Sequence, residues 1–177
     1  KESFITSPDA RLTLSQDSLK FDTVFTTTGS VTKSFKILND NDQKIRLSQI
    51  KLMGGAASSY KMNVNGIPTV QADNVEIAAN DSIYVFVTIT VNPTAANLPF
   101  IISDSISVNY NGRQRFVQLQ AFGQNAVFIR NGLIVGNVTF TNMLPYVILG
   151  GLQVAGTGSL TLNAGTKVYC HADAPVL

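Results

Sequence analysis

The sequence predicts an all-β chain, a β-sandwich followed by the opening of a parallel β-helix. Three observations carry that reading. Apolar and polar residues alternate along many short segments, and helical spacing is absent. Turn residues, Asn-Gly pairs and mixed Asn/Asp runs above all, punctuate those segments. Near residue 125 the pattern changes. Charge nearly vanishes, and short apolar alternations spaced by glycine begin in GGLQVAGTGSLTLNAGTKVYCHA. The chain therefore divides into an extended start at 1–11, a sandwich at 12–125 and an incomplete β-helix at 126–177.

Element by element, LTLS (12–15), LKFDTVF (19–25), TKSFKIL (32–38) and IRLSQIKL (45–52) are predicted strands. Asn39, Asp40, Asn41 and Asp42 form the turn between the last two. In IRLSQIKL the apolar positions are Ile45 and Leu47, then Ile50 and Leu52. That slip of one residue predicts a β-bulge or corner. YKMNVNG (60–66) and VEIA (75–78) add two short strands.

The clearest strand is SIYVFVTITVN at 82–92. Ile83, Val85, Val87, Ile89 and Val91 share one face, and Tyr84, Phe86, Thr88 and Thr90 the other. In DSISVNY (104–110), Ile106, Val108 and Tyr110 point inward and the serines and asparagine outward. Asn111-Gly112 supplies a hairpin turn that needs positive φ, and QRFVQLQAFG (114–123) returns. The strand at 82–92 is expected to be the longer partner ahead of this pair. The core is expected to centre on Phe21, Phe35, Ile37, Val85, Val87, Ile89, Ile106, Val108 and Leu119.

In the last segment Leu152 and Val154, Leu160 and Leu162, and Val168 and Cys170 alternate, separated by Gly156, Gly158 and Gly165. Glycine corners suit a parallel coil, because each corner turns without a bulky Cβ. A single coil cannot bury its own face. Residues 126–177 carry three charged side chains, Arg130, Lys167 and Asp173, against 21 in residues 1–125. This segment is expected to be covered by a missing continuation of the chain or by a protein partner, and to be unstable alone.

Composition excludes several classes. Charged residues are 14% of the chain, against about 25% in ordinary globular proteins, while hydrophobic residues reach 45%. A net charge of +2 offers no basic stripe for nucleic acid. No apolar run approaches the ~20 residues of a membrane span. Cys170 is the only cysteine, so no internal disulfide forms. The start, KESFITSPDA, lacks an initiator methionine, as expected of a processed or trimmed N-terminus.

No catalytic, metal or cofactor-binding residue is predicted, and the chain reads as non-enzymatic. His171 is the sole histidine and follows Cys170 directly, so the two side chains leave a strand on opposite faces. Glu2 and Glu76 are the only glutamates, and the aspartates sit at turns, with no converging pair for glycoside hydrolysis. The Asp40–Asp42 turn lacks the glycine and distal glutamate of an EF-hand loop. GTGSLTLNAG has no following lysine or helix and is no phosphate loop.

The order of features over 12–125 resembles that of hydin-like (ASH-type) immunoglobulin-fold domains. The resemblance rests on an apolar strand entering an Asn-rich turn, then IRLSQIKL, YKMNVNG, AANDSIYVFVTITVNP and a closing VQLQAFG. More narrowly, FITSPDARLTLSQDSLKFDTVFTTTGSVTKSFKILN is similar to the N-terminal region of Bacteroidetes surface lipoproteins. There such a domain follows a lipidated cysteine and precedes a right-handed β-helix. The sequence here lacks that cysteine and its β-helix is short. The resemblance implies an immunoglobulin-like sandwich and an extracytoplasmic, outer-membrane or cell-surface location. It also implies a lipid anchor ahead of Lys1 and non-enzymatic binding or scaffold work through protein contacts. Two alternatives follow from it. One is an accessory subunit of an outer-membrane transport, secretion or assembly machine. The other is the targeting domain of a β-helix carbohydrate-active enzyme of the pectate-lyase type.

One triplet recurs: DSL at 17–19, DTV at 22–24, DSI at 81–83 and DSI at 104–106. It resembles the O-glycosylation acceptor pattern of Bacteroidetes extracytoplasmic proteins, with Ser18, Thr23, Ser82 and Ser105 as acceptors. Asp-Ser before an apolar residue is also how a turn enters a strand. Asn80 and Asn137 begin N-linked sequons of the eukaryotic type, which the bacterial signals argue against.

Overall fold

Alternation becomes strand along almost the whole chain. The structure is a computed structural model that describes residues 3–26, 29–92, 100–172 and 174–176. Among the described residues the strands are β1 (Leu12–Leu14), β2 (Ser18–Phe25), β3 (Lys33–Asn39), β4 (Ile45–Leu52), β5 (Tyr60–Val64), β6 (Ile67–Thr69), β7 (Gln71–Ile77), β8 (Ser82–Ile89), β9 (Phe100–Tyr110) and β10 (Arg113–Gln124), followed by β11 (Val127–Ile134), β12 (Asn137–Phe140), β13 (Tyr146–Val154), β14 (Ser159–Leu162) and β15 (Val168–Cys170). One 3-10 turn, Gly55–Ala57, interrupts them. The fold is all-β and divides into two units, one reaching Asn92 and resuming at Phe100–Gly123, the other running from Gln124 onward.

The first unit is sandwich-like. One five-stranded sheet has the order β1-β3-β8-β5-β6 and the other β2-β10-β9-β4-β7. The β3–β8, β8–β5, β9–β10 and β9–β4 pairings are antiparallel. The inward faces of both sheets meet in one hydrophobic cluster. All nine expected core residues belong to it, each at most 2% exposed. Burying a Val, Leu, Ile or Phe side chain contributes roughly 1.5–3 kcal/mol, so this cluster dominates the stability of the unit.

Local signals match the structure closely. The phase slip in β4 is a register shift between Leu47 and Gln49 on the flank that pairs with β9. Asn111 (φ 46) and Gly112 (φ 77) turn β9 into β10, with Tyr110 directly opposite Arg113. Positive φ at both centres twists the turn as the flanking strands twist, which Asn-Gly tolerates. Asn65 and Gly66 turn β5 into β6 in the same way.

Three expectations need correcting. β8 does not pair with the β9–β10 hairpin; it lies in the opposite sheet between β3 and β5. β8 and β9 bury their apolar faces in the same core from opposite sheets, so period-two alternation alone does not distinguish the two arrangements. β6 and the first half of β7 escaped notice because Gln71, Asp73 and Asn74 break the apolar alternation on an edge strand. Ser107 is buried rather than outward, directly across from Phe116 in the β9–β10 ladder.

The segment before β1 is tied to one end of the sandwich. The Ile5 amide donates to the Lys44 carbonyl at 2.8 Å. The Asn111 amide nitrogen donates to the carbonyls of Ile5 (3.1 Å) and Ser7 (2.9 Å). Arg113 reaches the Pro8 carbonyl and the Asp9 carboxylate, and the Arg46 guanidinium sits 4.4 Å from the Phe4 ring centroid.

Asn39 and Asn41 are not simple turn residues, since both are buried. Asn39 Nδ2 donates to the carbonyls of Gln43 (2.8 Å), Ile77 (3.2 Å) and Ala78 (2.8 Å). Its Oδ1 accepts from Asn41 Nδ2 at 2.7 Å and from the Asn41 amide at 3.3 Å. Asn41 in turn exchanges two bonds with the Arg11 backbone, at 3.0 and 2.7 Å. This pair joins three chain segments, satisfying backbone groups that burial would otherwise strand.

The second unit is organised differently. β11, β13 and β15 form a parallel sheet, and β12 and β14 a parallel pair. β13 and β14 thus lie on β11 and β12 as a second row, and β15 begins a third. The sequence suggested a single coil's worth of strands. Within β11, Asn131 (φ 48) and Gly132 interrupt the alternation that would mark it as a strand. A register shift falls between Arg130 and Gly132. Opposite it Gly150 has φ +75, and a Cβ there would meet Asn131 Oδ1, so a larger residue would be strained and would displace that amide. Ile134, Phe140, Ile148, Leu152 and Ala174 form a small core, and the Phe140 and Tyr146 rings stack at 3.9 Å.

Candidate functional site

Period-two alternation gives β8 two different faces. Val85, Val87 and Ile89 fill the core, while Tyr84 and Phe86 stand outward, 41% and 39% exposed. A single exposed ring is ordinary, but two side by side on one strand face form an apolar patch. Their ring planes lie 13° apart with centroids 5.5 Å apart, a stacked pair.

The register around them is fixed by the ladders. Phe86 faces Ser34 on one side and Asn63 on the other, and Asn63 faces Pro68. Tyr84 faces Lys36, and Thr88 faces Lys61. Lys36 Nζ lies 4.8 Å from the Tyr84 ring centroid, a cation–π contact. Beside Phe86 opens a shallow depression of about 320 Å³ lined by Thr32, Lys61, Met62, Asn63, Pro68, Phe86 and Thr88. Asn63 Oδ1 accepts from the Gly66 amide at 2.8 Å, which steadies a side chain carrying two amide donors. Lys61 Nζ is 3.5 Å from the Ser58 carbonyl. No carboxylate lines the depression.

The four expected glycan acceptors are dispersed. Ser18 and Thr23 lie on β2, Ser105 on β9 of the same sheet, and Ser82 on β8 of the other. Thr23 is exposed and the other three are half-buried. In every triplet the aliphatic residue is buried: Leu19, Val24, Ile83 and Ile106. Alternation therefore turns each hydroxyl away from the core. The aspartates also have local work. Asp81 Oδ1 accepts from the Ser82 amide and Asp104 Oδ1 from the Ser105 amide, both at 2.7 Å. Asp104 further accepts from the Gly54 amide (3.0 Å) and the Ser58 hydroxyl (2.5 Å), fixing the turn that enters β5. Asn80 lies in a left-handed turn, and Asn137 opens β12, where its Oδ1 accepts from Ser159 Oγ at 2.8 Å.

Cys170 is exposed at the end of β15, and the His171 amide donates to the Ile148 carbonyl at 3.0 Å. Among the described residues no three His, Cys, Asp or Glu side chains converge as a metal site. Tyr60 has an altered ionisation. Burial, reinforced by the charge of Asp104, pushes its phenol well above the ordinary value. Its hydroxyl donates to the Ile102 carbonyl at 2.8 Å and its ring packs on Phe21. This is a core tyrosine with its polar tip satisfied. Sequence reasoning placed Tyr84 and Phe86 on the second face of β8 without singling them out. The signal was there, in aromatic residues alternating with a core row.

No family profile matches the chain, and no curated protein matches it. Distant likenesses exist among solved structures. A family 123 glycoside hydrolase from Clostridium perfringens is 10% identical with a TM-score of 0.44, over 65% of this chain and 26% of that one. WR4, an MSP family member from C. elegans, is 12% identical with a TM-score of 0.38, over 64% of this chain and 98% of that one. A Porphyromonas gingivalis W83 protein of unknown function is 8% identical with a TM-score of 0.44, over 71% of this chain and 60% of that one. The chain thus spans about a quarter of the hydrolase and three fifths of the Porphyromonas protein. Likenesses at this level assign neither family nor activity.

Proposed function

We propose that this chain is a non-enzymatic binding or scaffold module of a bacterial surface protein, working through protein contacts. In this reading the first unit is an immunoglobulin-like sandwich and the second the first rows of a β-helix. The location is extracytoplasmic, at the outer membrane through an N-terminal lipid, and this rests on the sequence resemblance. The observation that carries the scaffold role is the stack of parallel rows ending in an edge strand. Among the described residues β15 pairs with β13 on one side only. Tyr169 on β15 and Val176, which bridges to Leu152 on β13, are 45% and 51% exposed. Such an edge presents backbone donors and acceptors together with apolar side chains, a template for one more strand. A further row or a partner strand is the expected cover.

Light scattering combined with limited proteolysis of the whole chain tests this. The reading expects either a mass above the monomer or preferential cleavage within 126–177. A protease-resistant monomer would refute it. Cys170, exposed on the edge strand, accepts a photocrosslinker. On native outer membranes that probe is expected to capture one discrete neighbour rather than a smear.

A further inference from the structure

We propose that the outer face of the β1-β3-β8-β5-β6 sheet binds an acidic saccharide, with Phe86 as the stacking ring and Lys36 and Lys61 as the cations. This inference is independent of the scaffold reading, which concerns the other unit. Its first support is geometric. Phe86 is stacked on one side by Tyr84 and borders the depression floored by Asn63 and Pro68. A pyranose has a face of C–H bonds, and an aromatic ring beside a rigid, shallow cleft is what such a face packs on. Side chains on four neighbouring strands hold this surface, so little order must be gained on binding.

The second support is chemical. Around the ring stand hydroxyl and amide groups, Ser34, Thr88 and Asn63, suited to the hydroxyls of a sugar. Flanking them are two lysines, Lys36 beside Tyr84 and Lys61 beside Thr88, with no carboxylate lining the depression. Ammonium groups on flexible stems match the carboxylate of a uronic acid as point charges. A neutral glucan would use the ring and the hydroxyls but leave both lysines without a counter-charge. An acidic peptide would use the lysines but offer no C–H face.

Affinity electrophoresis of the whole chain at 0.15 M salt tests the proposal, with polygalacturonate, dextran and polyglutamate as probes. Polygalacturonate is expected to retard the protein, and dextran and polyglutamate at least tenfold less. Phe86→Ala and the shape-keeping Phe86→Leu are each expected to weaken retardation by tenfold or more. Lys36→Gln/Lys61→Gln should do the same. Lys20→Gln, on the other sheet, should change nothing. Circular dichroism melting of each variant excludes unfolding as the cause. Absence of retardation overturns the proposal, as does retardation that survives Phe86→Leu. Equal retention by polyglutamate would assign the face to acidic peptides, and equal retention by dextran would remove the lysines' role; either result overturns it.

Discussion

Replacing Asn39 by alanine should destabilise the first unit more than any exposed substitution. The side chain takes part in five hydrogen-bond contacts, three donated and two accepted. An amide has only two N–H bonds, so the three donated contacts count as two, and the 3.3 Å contact from the Asn41 amide is weak. About three to four effective bonds are lost, each worth about 1 kcal/mol net. The orphaned Asn41 donors are buried and add to this. The expected loss is about 4 kcal/mol, a large part of the 5–15 kcal/mol typical of a domain. With a urea dependence of about 2 kcal/mol per molar, the midpoint should fall by roughly 2 M. Asn142→Ala, which removes one exposed bond of 3.3 Å to the Ala164 carbonyl, is the control and should move it little. A midpoint shift under about 0.5 M for Asn39→Ala would mean that water replaces these partners without cost, and the account of the hub would be wrong.

The remaining predictions concern the core, ionisation and modification. Val87→Asp puts an unpaired charge at a fully buried position, a cost of several kcal/mol; a well-dispersed amide NMR spectrum of that variant would contradict the core assignment. Tyr60 favours its neutral form when folded, so the folded state holds its proton longer than the unfolded one. Its stabilising contribution is present below pH ~10 and is lost above it, by about 1.4 kcal/mol per pH unit. Alkaline titration of stability should show that slope in the native chain and a shallower one in Tyr60→Phe; identical slopes refute the assignment. Material from a glycosylating native host should carry glycan on at least one of Ser18, Thr23, Ser82 or Ser105. Intact mass equal to the polypeptide alone, where other exported proteins of that host are modified, counts against it.

How much of this was legible depended on which force fixed each element. Alternation is enforced by burial, so β3, β4, β8 and the β9–β10 hairpin could be read, and so could the bulge after Leu47. Positive φ at Asn111-Gly112 is enforced by local sterics and was equally plain. Sheet membership was not. Nothing in the residues of β8 says that its neighbours are β3 and β5 rather than β9, because that choice is made by packing across the core. The buried amides of Asn39 and Asn41 were hidden for a related reason. An Asn/Asp run looks like a solvated turn until segments distant in sequence, around Arg11 and Ile77, arrive to use it. On the outer face of β8 the residues were visible, but the flanking lysines come from β3 and β5 and only the ladder register brings them beside the rings.

The hairpin at Asn111-Gly112 also sets how the molecule ages. An asparagine followed by glycine is the pairing most exposed to spontaneous deamidation, because glycine leaves the attacking backbone nitrogen unhindered. Here the amide nitrogen that would be lost is the one holding the Ile5 and Ser7 carbonyls. A carboxylate in its place has no proton to offer and would turn a negative oxygen toward two carbonyl oxygens. The segment from Ser3 to Ala10 would then keep the Lys44 and Arg113 contacts, the Gln43–Ser3 bond and the Arg46–Phe4 contact, but lose its tie to the hairpin tip. A single slow chemical event, with no protease or partner involved, would loosen the leading segment at the hairpin while the core behind it stayed folded.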